Sequence, residues 1–335
     1  MSDALLPWHQ PLWERLQQRR QASNLPHALL LAGDAGLGKQ IFAKQFAHVL
    51  LCSQPLVGGT PCQQCHACHL MAAETHPDFH LVQPEAEGKA IKIDQVRALI
   101  EYSYKTPQIS AWKVIVIAPA DAMNINAANA LLKTLEEPVS NTQLLLVTAR
   151  PMALLATIRS RCQALQFKTP DSSTAFQWLR NQQEDVSEEQ VRILFHLAQK
   201  APLRALNFIR SEEWEFRAQL FSEWLQYTRH QLDLVSISKV WSTHDLHRVI
   251  FHLQSWVQDL TKWIQTGSFD ALVNTDLAAM LKDIAARVDE QSCYRFLDQL
   301  NQANAWVHSK IALNAQLLIE QLLVQWSDSI SVMPS

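Results

Sequence analysis

The chain has 335 residues, which is too long for one ordinary core and suits two or three domains. Its composition, 48% hydrophobic and 18% charged, excludes an intrinsically disordered protein. The net charge of −3 divides into +3 for residues 1–168 and −6 for residues 169–335, so neither half has the basic excess of a self-sufficient DNA-binding domain. Because no apolar run reaches the roughly 18 residues that span a bilayer and the N-terminus lacks a secretory pattern, we expect no membrane association and a cytoplasmic location.

The first predicted elements are a strand, a glycine-rich loop and a helix. An apolar run at residues 27–33 leads into the loop GDAGLGKQ, residues 33–40, and residues 41–51 follow with helical character. This context is the one required by the phosphate loop G-x-x-x-x-G-K-[ST], in which backbone N–H groups and the Lys bind phosphates and the hydroxyl ligates Mg²⁺. Gln40 stands in place of that hydroxyl, which predicts that metal placement is lost. ATP or ADP binding stays open against a purely structural loop, and its candidate contacts are Gly33, Gly36, Gly38 and Lys39.

Four of the six cysteines follow this helix, three of them in a C-x₂-C-x₂-C run; they are Cys52, Cys62, Cys65 and Cys68. The cytosol keeps thiols reduced, and four thiolates are the number that a closed tetrahedral zinc site requires. We therefore predict a structural Zn²⁺ with no open coordination position. An iron–sulfur cluster and unliganded thiols are the alternatives, and nearby histidines could replace one cysteine, namely His66, His69 or His76.

Further buried strands are predicted at residues 79–82, 114–117 and 144–147, separated by helix-length stretches that indicate a parallel sheet with helices on both faces. An ATPase of this architecture carries Asp-Glu after the strand that corresponds to residues 114–117. Here Ala118 and Pro119 follow, so both carboxylates are missing and hydrolysis is not expected. We interpret Asp121 as a cap for the helix that begins near Asn124.

From residue 169 onward the pattern is helical. Residues 172–182, 187–199 and 202–210 predict a small three-helix unit, and longer amphipathic stretches follow. The predicted organisation is an α/β domain at 1–168, a helical lid at 169–210, a helical domain at 211–328 and a tail at 329–335. Eight of the eleven tryptophans lie after residue 170, and their helical spacing favours a role in the core over base stacking.

Three segments together resemble one known family. Residues 129–138 read NALLKTLEEP, residues 160–162 read SRC and residues 26–30 read PHALL. With the four cysteines and the helical C-terminal half, the chain resembles the bacterial clamp-loader subunits of the AAA+ class, and within that class the delta-prime family of DNA polymerase III. The resemblance spans nearly the whole chain and is strongest at residues 26–162. It implies an AAA+ phosphate-loop domain with a zinc loop, a helical lid and a helical collar domain that joins a ring.

The resemblance also implies roles for individual residues. Arg161, in its motif with Ser160 and Cys162, matches the arginine finger that reaches the nucleotide of a neighbouring ATPase subunit. Thr148 matches the position that senses the terminal phosphate in active members, although without hydrolysis an ordinary residue at the end of a strand is the favoured interpretation. The helix at residues 133–137 resembles one that lies near DNA, although Lys133, Glu136 and Glu137 could equally form a solvated face with local pairs. The sensing Arg of the lid falls on Leu203 or, with a one-residue gap, on Arg204.

On this resemblance the chain is expected to be a non-hydrolysing member of a heteropentamer. Its expected partners are the gamma/tau and delta subunits and, through the complex, the sliding clamp and primed DNA in replication. It would then belong to the DNA-directed DNA polymerase holoenzyme without a polymerase site of its own. The alternatives are an active motor ATPase of the gamma/tau kind and a zinc-dependent nucleic-acid-binding module.

Overall fold

A parallel five-stranded sheet organises the N-terminal half in the computed structural model, which describes residues 5–86, 88–183, 185–308 and 313–330. The strand order is β2-β3-β4-β1-β5, and every neighbouring pair is parallel. The strands are β1 Ala28–Ala32, β2 Phe79–Val82, β3 Lys113–Ile117, β4 Thr142–Thr148 and β5 Gln163–Gln166.

Helices cover both faces of this sheet. The first seven helices of the chain are α1 Gln10–Gln21, α2 Lys39–Leu51, α3 His66–Ala72, α4 Ile93–Tyr104, α5 Ile125–Glu136, α6 Ala156–Arg161 and α7 Ser172–Gln182. One hydrophobic cluster lies on the face that packs α1 and α2, and a second on the face that packs α4, α5 and α6. Strands β1, β3 and β4 are buried along their whole length, which is why each contains a run of at least four apolar residues.

The four strands and the three lid helices predicted from the sequence are confirmed, with bounds that move by no more than two residues. Strand β5 was not predicted. Only Leu165 of its four residues is buried, and it lies at the sheet edge beside β1, so its sequence carries neither alternation nor an apolar run. Backbone pairing with β1 in the register Leu29↔Gln163 places β5 in the sheet, and Leu165 is its one side chain in the core.

The remaining helices are α8 Glu188–Leu197, α9 Pro202–Arg210, α10 Glu213–Thr228, α11 Leu234–Trp241, α12 Leu246–Thr266, α13 Ala278–Ala285, α14 Glu290–His308 and α15 Ala315–Ser329. Contacts divide the chain into two compact units. The first contains the residues up to Trp178 together with Ala201–Arg204, and the second contains Leu179–Lys200 and Ala205–Ser335. The domain bounds given above stay predictions. Within the predicted tail, residue 329 still belongs to α15, and residues 331–335 lie outside the described residues.

The second unit has its own core of aliphatic and aromatic side chains from α10 to α15. Four of its tryptophans are fully buried there: Trp224, Trp241, Trp256 and Trp326. Trp224 stacks on Trp256 at a ring separation of 5.4 Å and lies 4.8 Å from Trp326. For these four residues the interpretation as core side chains is confirmed. Among the described helices, none is both long enough and apolar enough to cross a bilayer.

Candidate functional site

The glycine-rich loop has the conformation that a phosphate loop needs. Gly36 and Gly38 adopt left-handed backbone angles, with φ of 79° and 83°, a region that other residues enter only with strain. The Lys39 side chain turns back into the loop, where Nζ donates hydrogen bonds to the carbonyl oxygens of Gly33 and Asp34, both at 2.6 Å. Burial lowers the pKa of Lys39 to about 8, and Asp34 and Asp121 oppose that shift. The loop is therefore held in shape by its own lysine.

Residues that precede α1 also support the loop. The Leu37 carbonyl accepts two hydrogen bonds, from Trp8 Nε1 at 2.9 Å and from His9 Nε2 at 2.8 Å. Because a carbonyl can only accept, the proton of His9 must sit on Nε2. His9 is fully buried, and Phe42 and Phe167 meet its ring edge to face. Burial lowers the pKa of His9 to about 4, so this imidazole stays neutral in the folded chain.

This buried histidine makes stability depend on pH. The unfolded chain binds a proton at His9 near pH 6.5 and the folded chain only near pH 4, so the contribution is present above pH 6.5 and is lost as the pH falls toward 4. The full loss is on the order of 3 kcal/mol, from about 1.4 kcal/mol for each unit of pKa. We expect His9→Gln, whose amide can still donate to Leu37, to flatten the fall of the melting temperature between pH 6.5 and 4. Exposed His230→Gln is the control, and an equal slope in wild type and His9→Gln would contradict the prediction.

Asp121 lies beside the loop but does not cap a helix, so that interpretation is wrong. Asn124 caps α5 instead, since its Oδ1 accepts from the Ala127 N–H at 2.8 Å. Asp121 is 5% exposed and accepts from Thr148 Oγ1 at 2.7 Å and from Arg150 Nε at 2.9 Å. The single hydroxyl proton of Thr148, at the end of β4, is thereby directed to Asp121 and not toward the loop.

The lid segment that the sequence linked to nucleotide sensing packs on the same loop. The Leu203 N–H donates to the Gly36 carbonyl at 3.1 Å. A Cβ atom added at Gly36 would come within 2.9 Å of the Arg204 Cβ and 3.1 Å of the Ala201 Cβ. Gly36 is therefore required both by its backbone angle and by this close packing. Both residues considered for the sensing position, Leu203 and Arg204, lie at the loop.

Arg161 ends α6 and projects from the sheet-based unit. Its side chain is 35% exposed, and the guanidinium bonds Glu136 Oε1 at 2.6 Å and the Thr157 carbonyl at 3.1 Å. Glu136 belongs to the NALLKTLEEP segment, and the sequence did not predict this pair. Glu136 thus forms its ion pair with Arg161 and not with Lys133, which has no ion pair among the described residues.

The residues around Arg161 fix its backbone. Cys162 is buried in the core beneath α4, α5 and α6, and burial raises its pKa to about 12, which marks an inert thiol. The Ser160 hydroxyl donates to the Thr157 carbonyl at 3.1 Å. Of the three SRC residues, Cys162 is therefore anchored in the core, Ser160 bonds its own helix, and Arg161 is partly exposed and bonds Glu136 and Thr157.

The four cysteines meet in space. Sγ of Cys52 lies 3.5 Å from that of Cys62 and 3.9 Å from that of Cys65, and Sγ of Cys62 lies 3.9 Å from that of Cys68. All four sulfur atoms lie within 4.8 Å of one another. A tetrahedron with Zn–S bonds of about 2.3 Å has edges of about 3.8 Å, so the sulfur positions fit Zn²⁺.

Local backbone geometry prepares this cluster. Cys65 is the N-cap of α3, its sulfur accepting the Cys68 N–H at 3.4 Å, and the Cys52 sulfur accepts the Cys62 N–H at 3.3 Å. Burial raises the pKa of the Cys65 thiol, but hydrogen bonds from Ser53 and Cys68 outweigh it and hold that pKa at about 5. In the described part of the chain, the group of candidate ligands contains these cysteines and no histidine.

Comparison with known proteins gives relatives along the whole chain. The family model described as DNA polymerase III, delta subunit, matches residues 8–171, and its C-terminal counterpart matches residues 211–328. The DNA polymerase III subunit delta' of Pseudomonas aeruginosa is 35% identical over 96% of this chain and 97% of that protein. The subunit delta' of Yersinia pestis is 32% identical over 97% of this chain and 96% of that protein. The subunit delta' of Bacillus subtilis is 33% identical over 91% of this chain and 92% of that protein.

Proposed function

Because the chain belongs to the delta-prime subunit family of DNA polymerase III, and so to the clamp loader, we propose that it is the non-hydrolysing subunit that supplies Arg161 to a neighbouring ATPase. Its sheet-based unit has the AAA+ clamp-loader fold, with a phosphate loop and a cysteine cluster, followed by helical segments. The observation that carries the proposal is a contrast within this unit: Arg161 is presented to solvent, while the chain's own loop lacks the groups that place a metal.

The proposed loss of hydrolysis has three supports. Gln40 replaces the hydroxyl that would bind Mg²⁺, and Ala118 and Pro119 replace the two carboxylates that would hold the metal and polarise water. Thr148 donates its proton to Asp121, so this proton is not available to a terminal phosphate. Each change removes a different part of the reaction, and together they leave the loop with backbone N–H groups and Lys39 for any phosphate contact.

The proposed role of Arg161 follows from the weakness of its present contacts. An ion pair that is half exposed contributes about 0–1 kcal/mol, so the Arg161 guanidinium can leave Glu136 at little cost. Against a nucleotide phosphate in a closed subunit interface, the same guanidinium donates two strong hydrogen bonds and places positive charge where the transition state gathers negative charge. Glu136 and the Thr157 carbonyl hold the Arg161 guanidinium until a partner's phosphates replace the carboxylate.

We also propose a structural zinc ion held by the four cysteines of the cluster. Bound there, Zn²⁺ would have no free coordination position and would cross-link the end of α2 to the start of α3. The proposed ring partners are gamma/tau and delta subunits in a heteropentamer, with primed DNA and the sliding clamp reached through the complex. The proposed location is the cytoplasm, where replication takes place.

Phosphate release measured with and without partners tests the proposal. Alone, the chain is expected to release phosphate from ATP at the background rate; mixed with motor and delta subunits, it should enter a complex of defined mass whose ATPase primed DNA and clamp stimulate. Turnover by the isolated chain would instead favour the motor ATPase. Tight binding of the isolated chain to primed DNA at physiological salt would favour the zinc-dependent nucleic-acid-binding module.

Restoring the hydroxyl alone is expected to have no effect. Gln40→Thr recreates G-x-x-x-x-G-K-T, but the carboxylates missing at Ala118 and Pro119 still leave no second metal ligand and no group to polarise water. We expect the purified variant to stay at the background rate in the same phosphate-release assay. A purified motor subunit is the positive control, and measurable turnover by Gln40→Thr would show that the missing hydroxyl was the only defect.

A further inference from the structure

A buried polar cluster beside the cysteines has no part in the function proposed above. It contains His76 and Asp78, which are 4% and 0% exposed, and Ser110, from the loop that leads into β3. Ser110 Oγ lies 2.7 Å from the Leu51 carbonyl oxygen and 3.2 Å from His76 Nε2. Leu51 is the last residue of α2 and the immediate neighbour of Cys52.

The two hydrogen bonds of Ser110 have defined directions, because the hydroxyl has only one proton. The Leu51 carbonyl can only accept, so the single hydroxyl proton of Ser110 is donated to it. His76 Nε2 must then donate to Ser110 Oγ, and Nδ1 accepts the Asp78 N–H at 3.0 Å. The cluster therefore requires neutral His76 in one tautomer, in agreement with the burial that lowers its pKa.

Asp78 anchors the loop that carries Ser110. Its carboxylate accepts three backbone N–H bonds, from Gln108 at 2.7 Å and from Ile109 and Ser110 at 2.8 Å each. Burial raises the pKa of Asp78, but these bonds outweigh it and hold that pKa below its usual value. The loop before β3 is thus fixed to the residue before β2, and each leads directly into one of two paired strands of the sheet.

The polar cluster contacts the chain next to Cys52, the one cysteine of the four that does not lie in the segment at the start of α3. Cys62, Cys65 and Cys68 lie within seven residues and are arranged by the start of α3. Cys52 comes from a different element, the end of α2. The Leu51 carbonyl is among the last four of that helix, which have no partner within it, and Ser110 supplies one from the sheet.

We propose that Ser110, oriented by His76 and Asp78, is a positioning residue for the metal: it holds the end of α2 so that the Cys52 sulfur meets the other three. The inference rests on the proposed zinc site and concerns only how this chain prepares it. Partners one step removed from the ligands typically contribute 10–100-fold to metal affinity. The cluster thereby couples the zinc module to the sheet.

Zinc affinity measured by competition with a chromophoric chelator tests this proposal. Ser110→Ala is expected to weaken zinc binding about 10–100-fold, and Ser110→Thr, which keeps the hydroxyl, to restore most of it. Ser103→Ala is the matched control, because Ser103 is fully buried and donates to the Ile100 carbonyl at 2.7 Å without a link to the cysteines. Cobalt substitution gives a second readout, in which Ser110→Ala should alter the visible bands of the tetrahedral thiolate site.

Each outcome decides a different question. Wild-type affinity and cobalt bands in Ser110→Ala would overturn the positioning role and leave the zinc site intact, as would an equal loss in Ser103→Ala. Absence of zinc binding by the unaltered chain would overturn the zinc site and this inference with it. If Ser110→Ala does not fold, His76→Gln takes its place: it removes the imidazole that orients Ser110 but leaves the hydroxyl, and a several-fold weaker zinc affinity is then expected.

Discussion

Arg161→Ala in the reconstituted clamp loader is expected to reduce the stimulated ATPase rate by about 10³-fold or more, the range typical of arginine fingers supplied in trans. The reason is electrostatic. The guanidinium is a fixed positive charge in a site from which water is excluded, where the transition state gathers negative charge on phosphate oxygens. Folding should be unaffected, because the Arg161 side chain is 35% exposed and its loss frees only Glu136, which is half exposed, and the Thr157 carbonyl, which still accepts from Ser160 Oγ.

The measurement compares variants in one assembled complex. Arg97→Ala is the matched control, since Arg97 is an exposed arginine of the same unit, paired with Asp94 on α4. It should keep the wild-type rate. Arg161→Lys should fall between the two, because it keeps the charge but loses the planar fork that binds phosphate through two hydrogen bonds. Complex formation is checked by mass in every case, and an unchanged ATPase rate in fully assembled Arg161→Ala would remove the proposed role in trans.

Loss of the metal is expected to have the second large effect. Elemental analysis of the purified chain should give about one zinc per chain. The double variant Cys62→Ala, Cys65→Ala should reduce this to background and destabilise the sheet-based unit by about 3 kcal/mol, the scale for removing a cross-link from a loop of this length. These two cysteines are partly exposed, so their truncation leaves little cavity that would itself lower the stability.

A second double variant tests whether the zinc content depends on the cysteines or on other side chains of the same segment. His66→Ala, His69→Ala changes two exposed side chains of the same segment and should retain the full zinc content. Zinc retained by the cysteine variant, or lost from the histidine variant, would show that the ligand set is wrong. Iron in place of zinc, with the visible absorption of a cluster, would favour the iron–sulfur alternative.

Several features were predictable because they depend on neighbours in sequence. A strand buried on both faces carries a run of apolar residues, so β1, β3 and β4 are predictable from the apolar runs at their centres. The glycine-rich loop is predictable from the glycines that its backbone angles require, and the four-cysteine cluster from the number and spacing of its cysteines. Strand β5 was missed, since an edge strand with one buried side chain has almost no sequence signal.

The candidate site was only partly predictable, and the misses share one cause. The spacing predicts that Asp121 caps the helix three residues ahead, whereas Asp121 bonds Thr148, which is 27 residues away. It also suggests a local pair of Glu136 with Lys133, one turn back on the same helix, whereas Glu136 bonds Arg161. Sequence spacing shows only partners that are near in the chain, and in both cases the bond is made to a residue that the fold brings close.

The sequence by itself determined the family, the glycine-rich loop without its metal hydroxyl and the set of four cysteines, because each depends on residues within short segments of the chain. Only the tertiary structure decided which carboxylates hold Arg161 and Thr148, and which hydroxyl holds the end of α2 beside Cys52. Hydrogen bonds are directional and act over about 3 Å, so their partners are known only once the parallel sheet has brought distant strand ends together.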